Sequence, residues 1–209
     1  LWSDAELNSY VNITLIDACI RSGIVVQDSI PIAFTQNKDL TWAATYALDP
    51  GTLDVQSVGL ASMPYFRLRR TSMRRQEQYY QSRPPYAGGP FAYALDLTMA
   101  GTGDYSGQYV RTITFIGTPT KADTALIDVK RLPFDLLSDD DIPEIDSMYV
   151  PDLVYGITGL AYMKRDSDTF DPKRSEKDMA EFTARFGDRL SAVVLRERQT
   201  EVPREMILG

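Results

Sequence analysis

An amphipathic helix opens this chain and has no helical neighbour for most of the sequence that follows. Leu7, Tyr10, Val11, Thr14, Leu15, Ala18 and Cys19 recur at the spacing of one helix face. Ser3-Asp4-Ala5-Glu6 in front of them is a capping box: the serine hydroxyl accepts from the backbone three residues on, and the glutamate reaches back. Gly23 supplies the left-handed residue that ends a helix. The spacing predicts a helix near 4–22. Such a helix draws its stability from burying its stripe against something else. The rest of the fold must supply that partner.

From Ile24 to about Leu132 the texture is β-like. Candidate strands are Ile24–Ala33, Leu40–Leu48, Leu53–Leu60, Tyr65–Arg69, Phe91–Thr98, Tyr109–Ile116 and Thr124–Leu132. Val110-Arg-Thr-Ile113-Thr-Phe115 is rich in β-branched and aromatic residues. Asp49-Pro-Gly, Gly101-Thr-Gly and Gly117-Thr-Pro supply turns. Ser72–Tyr80 is polar and reads as a short helix capped by Thr71 or Ser72. Ser82-Arg-Pro-Pro-Tyr-Ala-Gly-Gly-Pro90 reads as a long loop.

Helices return after Pro143. Val150, Leu153, Val154, Ile157, Leu160 and Ala161 form one stripe, with Pro151 at the tolerant first position. Gly156 and Gly159 each cost about 1 kcal/mol in a helix, a cost that close approach of another backbone would offset. A last helix is expected over Pro172–Arg196, on Met179, Phe182, Phe186, Leu190, Val193 and Val194, with Gly187 interrupting it. The expected fold is therefore α+β. A small bundle of the first helix and two C-terminal helices (1–24 and 143–198) carries an inserted β-rich, sandwich- or barrel-like domain (25–142). An extended tail (199–209) follows.

Composition narrows the chemistry. The chain has no histidine and one cysteine, Cys19. That removes Ser-His-Asp and Cys-His catalysis, and it leaves zinc without ligands. Cys19 can form no intrachain disulfide and reads as a buried small hydrophobe. No GxxxxGK[ST], GxGxxG or GxSxG occurs, so no cofactor is expected. No apolar run is long enough for a transmembrane helix, no secretory signal is visible, and no membrane partner is expected. The start at Leu1 rather than Met carries the expectation of residues before it, and a removed leader stays open. The formal net charge of −7 excludes a chain-wide basic footprint for nucleic acid.

Three clusters are candidate sites. Asp166-x-Asp168-x-x-Asp171 opens like a calcium loop. With Asp166 as position 1, however, Phe170, Asp171 and Lys177 fall where an oxygen ligand, a glycine and a glutamate are needed. The alternative is a helix–helix corner with Asp171 as cap and Pro172 as first residue. No metal site is expected. The acidic run Ser138–Asp146 could pair carboxylates for glycosidase chemistry, but nothing in its spacing selects them, and a solvated loop reads as well. Arg67, Arg69, Arg70, Arg74 and Arg75 put five arginines in nine residues, Arg67 and Arg69 on one face if they share a strand. Such a patch pairs with acidic protein surface or with phosphate, protein first, or is a solvated face. Tyr79, Tyr80 and Tyr86 nearby could stack on bases or line a protein interface.

The C-terminal block carries a resemblance. "VKRLP" at 129–133 precedes "DIPEID" at 141–146 and "YVPDLVYGITGLAYMKRDSDTFDPKRSEKDMAEFTARF" at 149–186. With "WSDAEL" at 2–7, and more loosely "YALDPGTLDVQSV" at 46–58, this resembles the head-to-tail adaptor (connector) proteins of tailed bacteriophages. About half the chain takes part; the 81–109 stretch has no counterpart in the pattern. The resemblance implies a non-enzymatic homo-oligomeric ring, commonly dodecameric, under the portal protein at the capsid vertex. Such a ring extends the DNA channel used in packaging and ejection, passes DNA without reading its sequence, and offers a platform to tail or nozzle proteins. It implies assembly in the host cytoplasm and a place in the virion neck. It also implies a C-terminal arm that docks on the portal, here through Pro203, Arg204, Met206, Ile207 and Leu208. The arginine–tyrosine patch would pair subunits, and Gly156, Gly159, Phe182 and Phe186 would pack the helices.

Two rival readings make different predictions. Another virion or tail module, whose β domain grips a protein partner or a glycan, predicts location away from the neck. A carboxylate enzyme predicts lost activity on changing Asp or Glu in 139–146.

Overall fold

The computed structural model describes residues 2–37, 40–72, 89–99, 109–117, 119–136, 141–165, 168–189 and 191. They form three α-helices and two four-stranded sheets, an α+β fold. The chain divides into two compact units. One, helical, is built from residues 1–26 and 130–190; the other, β-rich, has 27–129 at its centre.

In the helical unit, α1 (Asp4–Ser22) begins with both halves of the capping box made and ends at Gly23, φ 59°. A 3-10 turn at Val150–Asp152 leads into α2 (Leu153–Tyr162). The third helix, α3, spans Pro172–Phe186. The partner of α1 comes from the far end of the sequence: α1 packs on α2, and α2 on α3. Leu15, Ala18, Cys19, Leu153, Phe182 and Phe186 form the buried core between them. One expectation is corrected here. Gly187 ends α3, which stops at Phe186 short of the expected Arg196: it takes φ 85°, and its N–H donates to Thr183 O at 2.8 Å. Val193 and Val194 lie outside the described residues.

In the β unit, one sheet has the order β1 (Val26–Ala33), β8 (Thr124–Arg131), β3 (Thr52–Leu60), β4 (Met63–Arg67). The other has β2 (Thr45–Ala47), β7 (Tyr109–Ile116), β6 (Ala92–Met99), β5 (Arg69–Thr71). Both contribute to one core: Val55, Val58, Ile127 and Val129 from the first, Tyr93, Ile113 and Phe115 from the second. The arrangement is a sandwich of open sheets, not a closed barrel. Open sheets leave edges, and this one guards them. Edge strand β1 carries Pro31 and a kink at Ser29, φ 57°; edge strand β4 carries Pro64. Each removes or turns away part of the row of backbone donors that would otherwise recruit another strand.

The expected strand Leu40–Leu48 shortens to Thr45–Ala47, with an isolated bridge from Gln36 to Trp42 before it. The expected Tyr65–Arg69 strand is two strands. Leu68, buried between them, is where the chain leaves one sheet and enters the other. Its N–H donates to Val58 O at 2.8 Å in the first sheet. That of Arg69 donates to Phe91 O at 3.3 Å, beside the second. The short helix expected over Ser72–Tyr80, and most of the long 81–109 stretch, lie outside the described residues.

Candidate interaction surfaces

The helical unit is held by a joint and two clasps. At the joint, Gly156 and Gly159 lie buried on α2. A methyl group on Gly156 would overlap the Thr14 methyl of α1 and come within 3.0 Å of the Phe182 ring; one on Gly159 would stand 2.7 Å from Met179 Sδ. Flanking side chains fill the space beside both glycines, and at Gly159 the Met179 backbone N of α3 also stands 3.6 Å from where the methyl would be. Ser175 Oγ, buried, donates to Gly159 O at 2.7 Å and locks α3 to α2. Beside the joint an apolar groove of about 320 Å³ opens between Ile13, Ile16, Ile20, Leu160, Met179 and Phe182.

One clasp is Arg21 on α1. Its guanidinium donates to Asp17 Oδ2 at 2.8 Å, Thr183 Oγ1 at 3.0 Å and Gly187 O at 3.1 Å, and it lies over the Phe182 ring. The other is Arg131, which forms two hydrogen bonds with Glu144, at 3.0 and 2.7 Å, while Phe134 N–H donates to the same carboxylate at 2.8 Å. Arg131 holds Glu144 below the usual carboxylate range; burial opposes this, and the Phe134 N–H assists. Glu144 thus lies on an exposed loop and serves as an anchor there. Asp146 is used as well, accepting from Met148 N–H at 3.0 Å. Residues 138–140 of that acidic run lie outside the described residues.

The stretch that opened like a calcium loop is a corner. Asp171 caps α3 by accepting from Arg174 N–H at 3.1 Å, and its own N–H donates to Tyr162 O at 3.0 Å. Arg174 stacks on the Tyr162 ring at 4.4 Å. The start of the chain joins the same corner. Trp2 Nε1 donates to Ala161 O at 3.0 Å, with its ring edge-on to Tyr162, and Lys164 meets Glu6 at 2.8 Å. The Lys164 bond, helped by the Ser3 amide and hydroxyl, pulls Glu6 down to about 2. Asp166 lies outside the described residues. Cys19 is fully buried, and burial pushes its thiol up to about 12, too high to react.

In the β unit the described arginines of the run are divided between the two sheets. Arg67 ends β4 in one sheet and lies across Gly59 of β3. Arg69 and Arg70 belong to β5 in the other. The difference follows from the sheet switch at Leu68: alternation along a single strand no longer relates them. Arg74, Arg75, Tyr79, Tyr80 and Tyr86 lie outside the described residues, as do Pro203, Arg204, Met206, Ile207 and Leu208 of the tail. Beside Arg67, the register between β3 and β4 shifts, with Gly59 opposite Arg67 but Leu60 opposite Met63. Pro64, Tyr65 and Phe66 bulge between those pairs. Tyr65 is fully exposed, and Phe66 and Met63 are nearly half-exposed.

Arg70 leads to residues the sequence did not single out. It reaches Asp54 of β3, so the contact joins the two sheets. Nη1 approaches Oδ1 to 3.1 Å off the line of its N–H bonds and makes only a long hydrogen bond, 3.4 Å, to Oδ2. Arg111 of β7 lies close enough to feel both charges but pairs with neither. Burial lowers its pKa, Asp54 opposes that, and Arg70 adds to it. Arg70 Nε, Arg111 Nη1 and Thr112 Oγ1 are buried without a hydrogen-bond partner. Nearby Tyr93, buried in the core, is pushed up to about 12 mainly by that burial. A signal for Arg111 was present in the sequence. Alternation puts it on the same strand face as Ile113 and Phe115, which are core residues.

Among the described residues no helix is long and apolar enough to cross a membrane. A family model described as SU10 adaptor protein matches residues 1–206. No curated protein matches the chain.

Proposed function

The chain belongs to the SU10 adaptor protein family, structural proteins of phage virions, and from that premise we propose that it is a head-to-tail adaptor. Copies of it form a ring, dodecameric in this reading, between the portal and the tail or nozzle proteins. The ring extends the channel through which DNA enters and leaves the capsid. The family match across nearly the whole chain carries this reading, and three physical features support it. The β unit stands out Met63, Tyr65 and Phe66 on an edge, and the helical unit leaves Val154, Met163 and Phe170 about half-exposed. Surfaces of that kind suit a protein with neighbours. The net charge of −7 lets DNA pass a wall without adhering to it. The helices are tied by a close-packed joint and charged clasps, which suits a platform that must transmit load.

In this reading residues 1–24 and 143–198 are the platform and 25–142 the inserted domain. The arm 199–209, through Pro203, Arg204, Met206, Ile207 and Leu208, docks on the portal. Arg67, Arg69, Arg70, Arg74 and Arg75 with Tyr79, Tyr80 and Tyr86 meet neighbouring protein. Reconstruction of the unique vertex of the virion tests it. Density for this chain as a ring between portal and tail is the expected result; density elsewhere in the particle, or none in the neck, sinks it.

A further inference from the structure

We propose that Arg70, Arg111 and Asp54 form a seat for one side-chain carboxylate of a second copy of this chain. Two guanidiniums lie near one carboxylate, which only Arg70 engages, so the cluster as it stands carries an uncompensated positive charge. Arginine does not shed that charge under ordinary conditions. No described acidic side chain lies within ion-pair distance of Arg111, and Asp54, the shared one, is already engaged by Arg70. Arg70 Nε and Arg111 Nη1 are unpartnered donors for an anion, beside an Asp54 Oδ1 that lacks a hydrogen bond as well. Water can satisfy those N–H groups but cannot neutralise the charge, and a partly buried unpaired charge is costly. The seat is recessed, its unpartnered atoms covered, with the Asp54 side chain 40% exposed at its rim and Arg111 only partly buried.

A carboxylate fits better than a nucleic-acid phosphate. The chain has 29 Asp and Glu against 22 Lys and Arg, so every copy offers carboxylates in excess. A DNA strand would bring its neighbouring phosphates against a protein of net charge −7, whereas one side chain brings a single charge. The inference rests on the proposed ring only in taking the neighbour to be another copy.

The test compares the full-length chain with Arg111→Met, which keeps the apolar stem and removes the charge. Sedimentation velocity over a concentration series reads self-association, and Trp42 emission reads unfolding of the β unit. The variant is expected to associate at least ~10-fold more weakly. It is also expected to unfold about 2 °C or more higher, because it no longer holds an unpaired charge. A purely structural arginine would do the reverse, so a lower midpoint overturns the proposal. Undiminished association of the variant overturns it too, as does a wild type that stays monomeric throughout. A variant that keeps self-association but loses retention of a short DNA duplex assigns the seat to phosphate and also overturns it. Ring density in the neck with assembly unaffected by Arg111→Met sinks the seat alone. Arg111-dependent assembly with density elsewhere sinks the neck placement alone.

Discussion

The two units use arginine in opposite ways. In the helical unit Arg21 and Arg131 each close on a carboxylate at 2.8 Å or less, and Arg174 stacks on Tyr162. In the β unit Arg70 reaches its one carboxylate obliquely and Arg111 has none. A guanidinium is a fixed charge, so the first pattern is a structure finished within itself and the second one that is not. The difference separates roles: Arg21 ties α1 to α3 and Arg131 anchors Glu144 within the helical unit, while in the proposed seat the β unit's pair awaits a carboxylate from another copy.

The strongest attack on that contrast is Phe182→Ala. Phe182 is 1% exposed and sits where all three helices meet. Removing its ring is expected to cost about 3–5 kcal/mol. Each unit carries one of the two tryptophans, Trp2 on the Tyr162 corner and Trp42 against the β core. Urea titrations in Trp42→Phe and Trp2→Phe backgrounds therefore read the units one at a time. The Trp2 midpoint is expected to fall while the Trp42 midpoint holds. If both fall together, the units unfold as one and their separate treatment is wrong.

A smaller effect has its sign as the informative part. Glycine to alanine inside a helix normally gains about 1 kcal/mol. At Gly156 the new methyl meets Thr14 and Phe182, and overpacking a core costs about 1–3 kcal/mol. Gly156→Ala is expected to destabilise the helical unit by about 1 kcal/mol in the same urea titration, read at Trp2. A gain would mean that α1 and α3 yield easily and that the joint is looser than its distances.

The two units also differ in how much of them was legible. The first helix was readable to within a residue because its cap, stripe and terminating glycine all lie in adjacent sequence. The corner at Asp171-Pro172 was readable for the same reason. The sheet switch was not: Leu68 follows Arg67 with no glycine or proline to mark it, and alternation runs straight through. The division of Arg67 from Arg69 and Arg70 between two sheets was therefore not readable. Arg111 was under-read because a charged residue in a β-branched run suggests a solvent face, although its parity with Ile113 and Phe115 put it inward. Glu144 was hidden by its acidic neighbours; only the fold brings Arg131 to it. Local signals survived, and signals that need two distant segments did not.

The mildest test uses acid and salt together. Glu6 has its pKa lowered from 4.5 to about 2, first by Lys164, and Glu144 is lowered first by Arg131. Asp128 in the β unit is lowered first by the Ser57 hydroxyl, then by the Ser29 N–H. All three are carboxylates with depressed folded values. The stability they lend is complete above their unfolded values and is lost as pH falls through the folded ones. For Glu6 that window runs from about 4.5 down to 2. Both units are therefore expected to melt lower as acid is added. Salt should tell them apart, because it screens exposed charge pairs but does little to hydrogen bonds from hydroxyl and amide. At neutral pH, raising salt is expected to lower the Trp2 midpoint slightly and leave the Trp42 midpoint in place. Glu6→Gln should abolish part of the salt response, and its difference from wild type should vanish near pH 2. A Trp42 midpoint that follows salt as closely as Trp2 would mean that the β unit also depends on exposed charge pairs, and the contrast between the units would not stand.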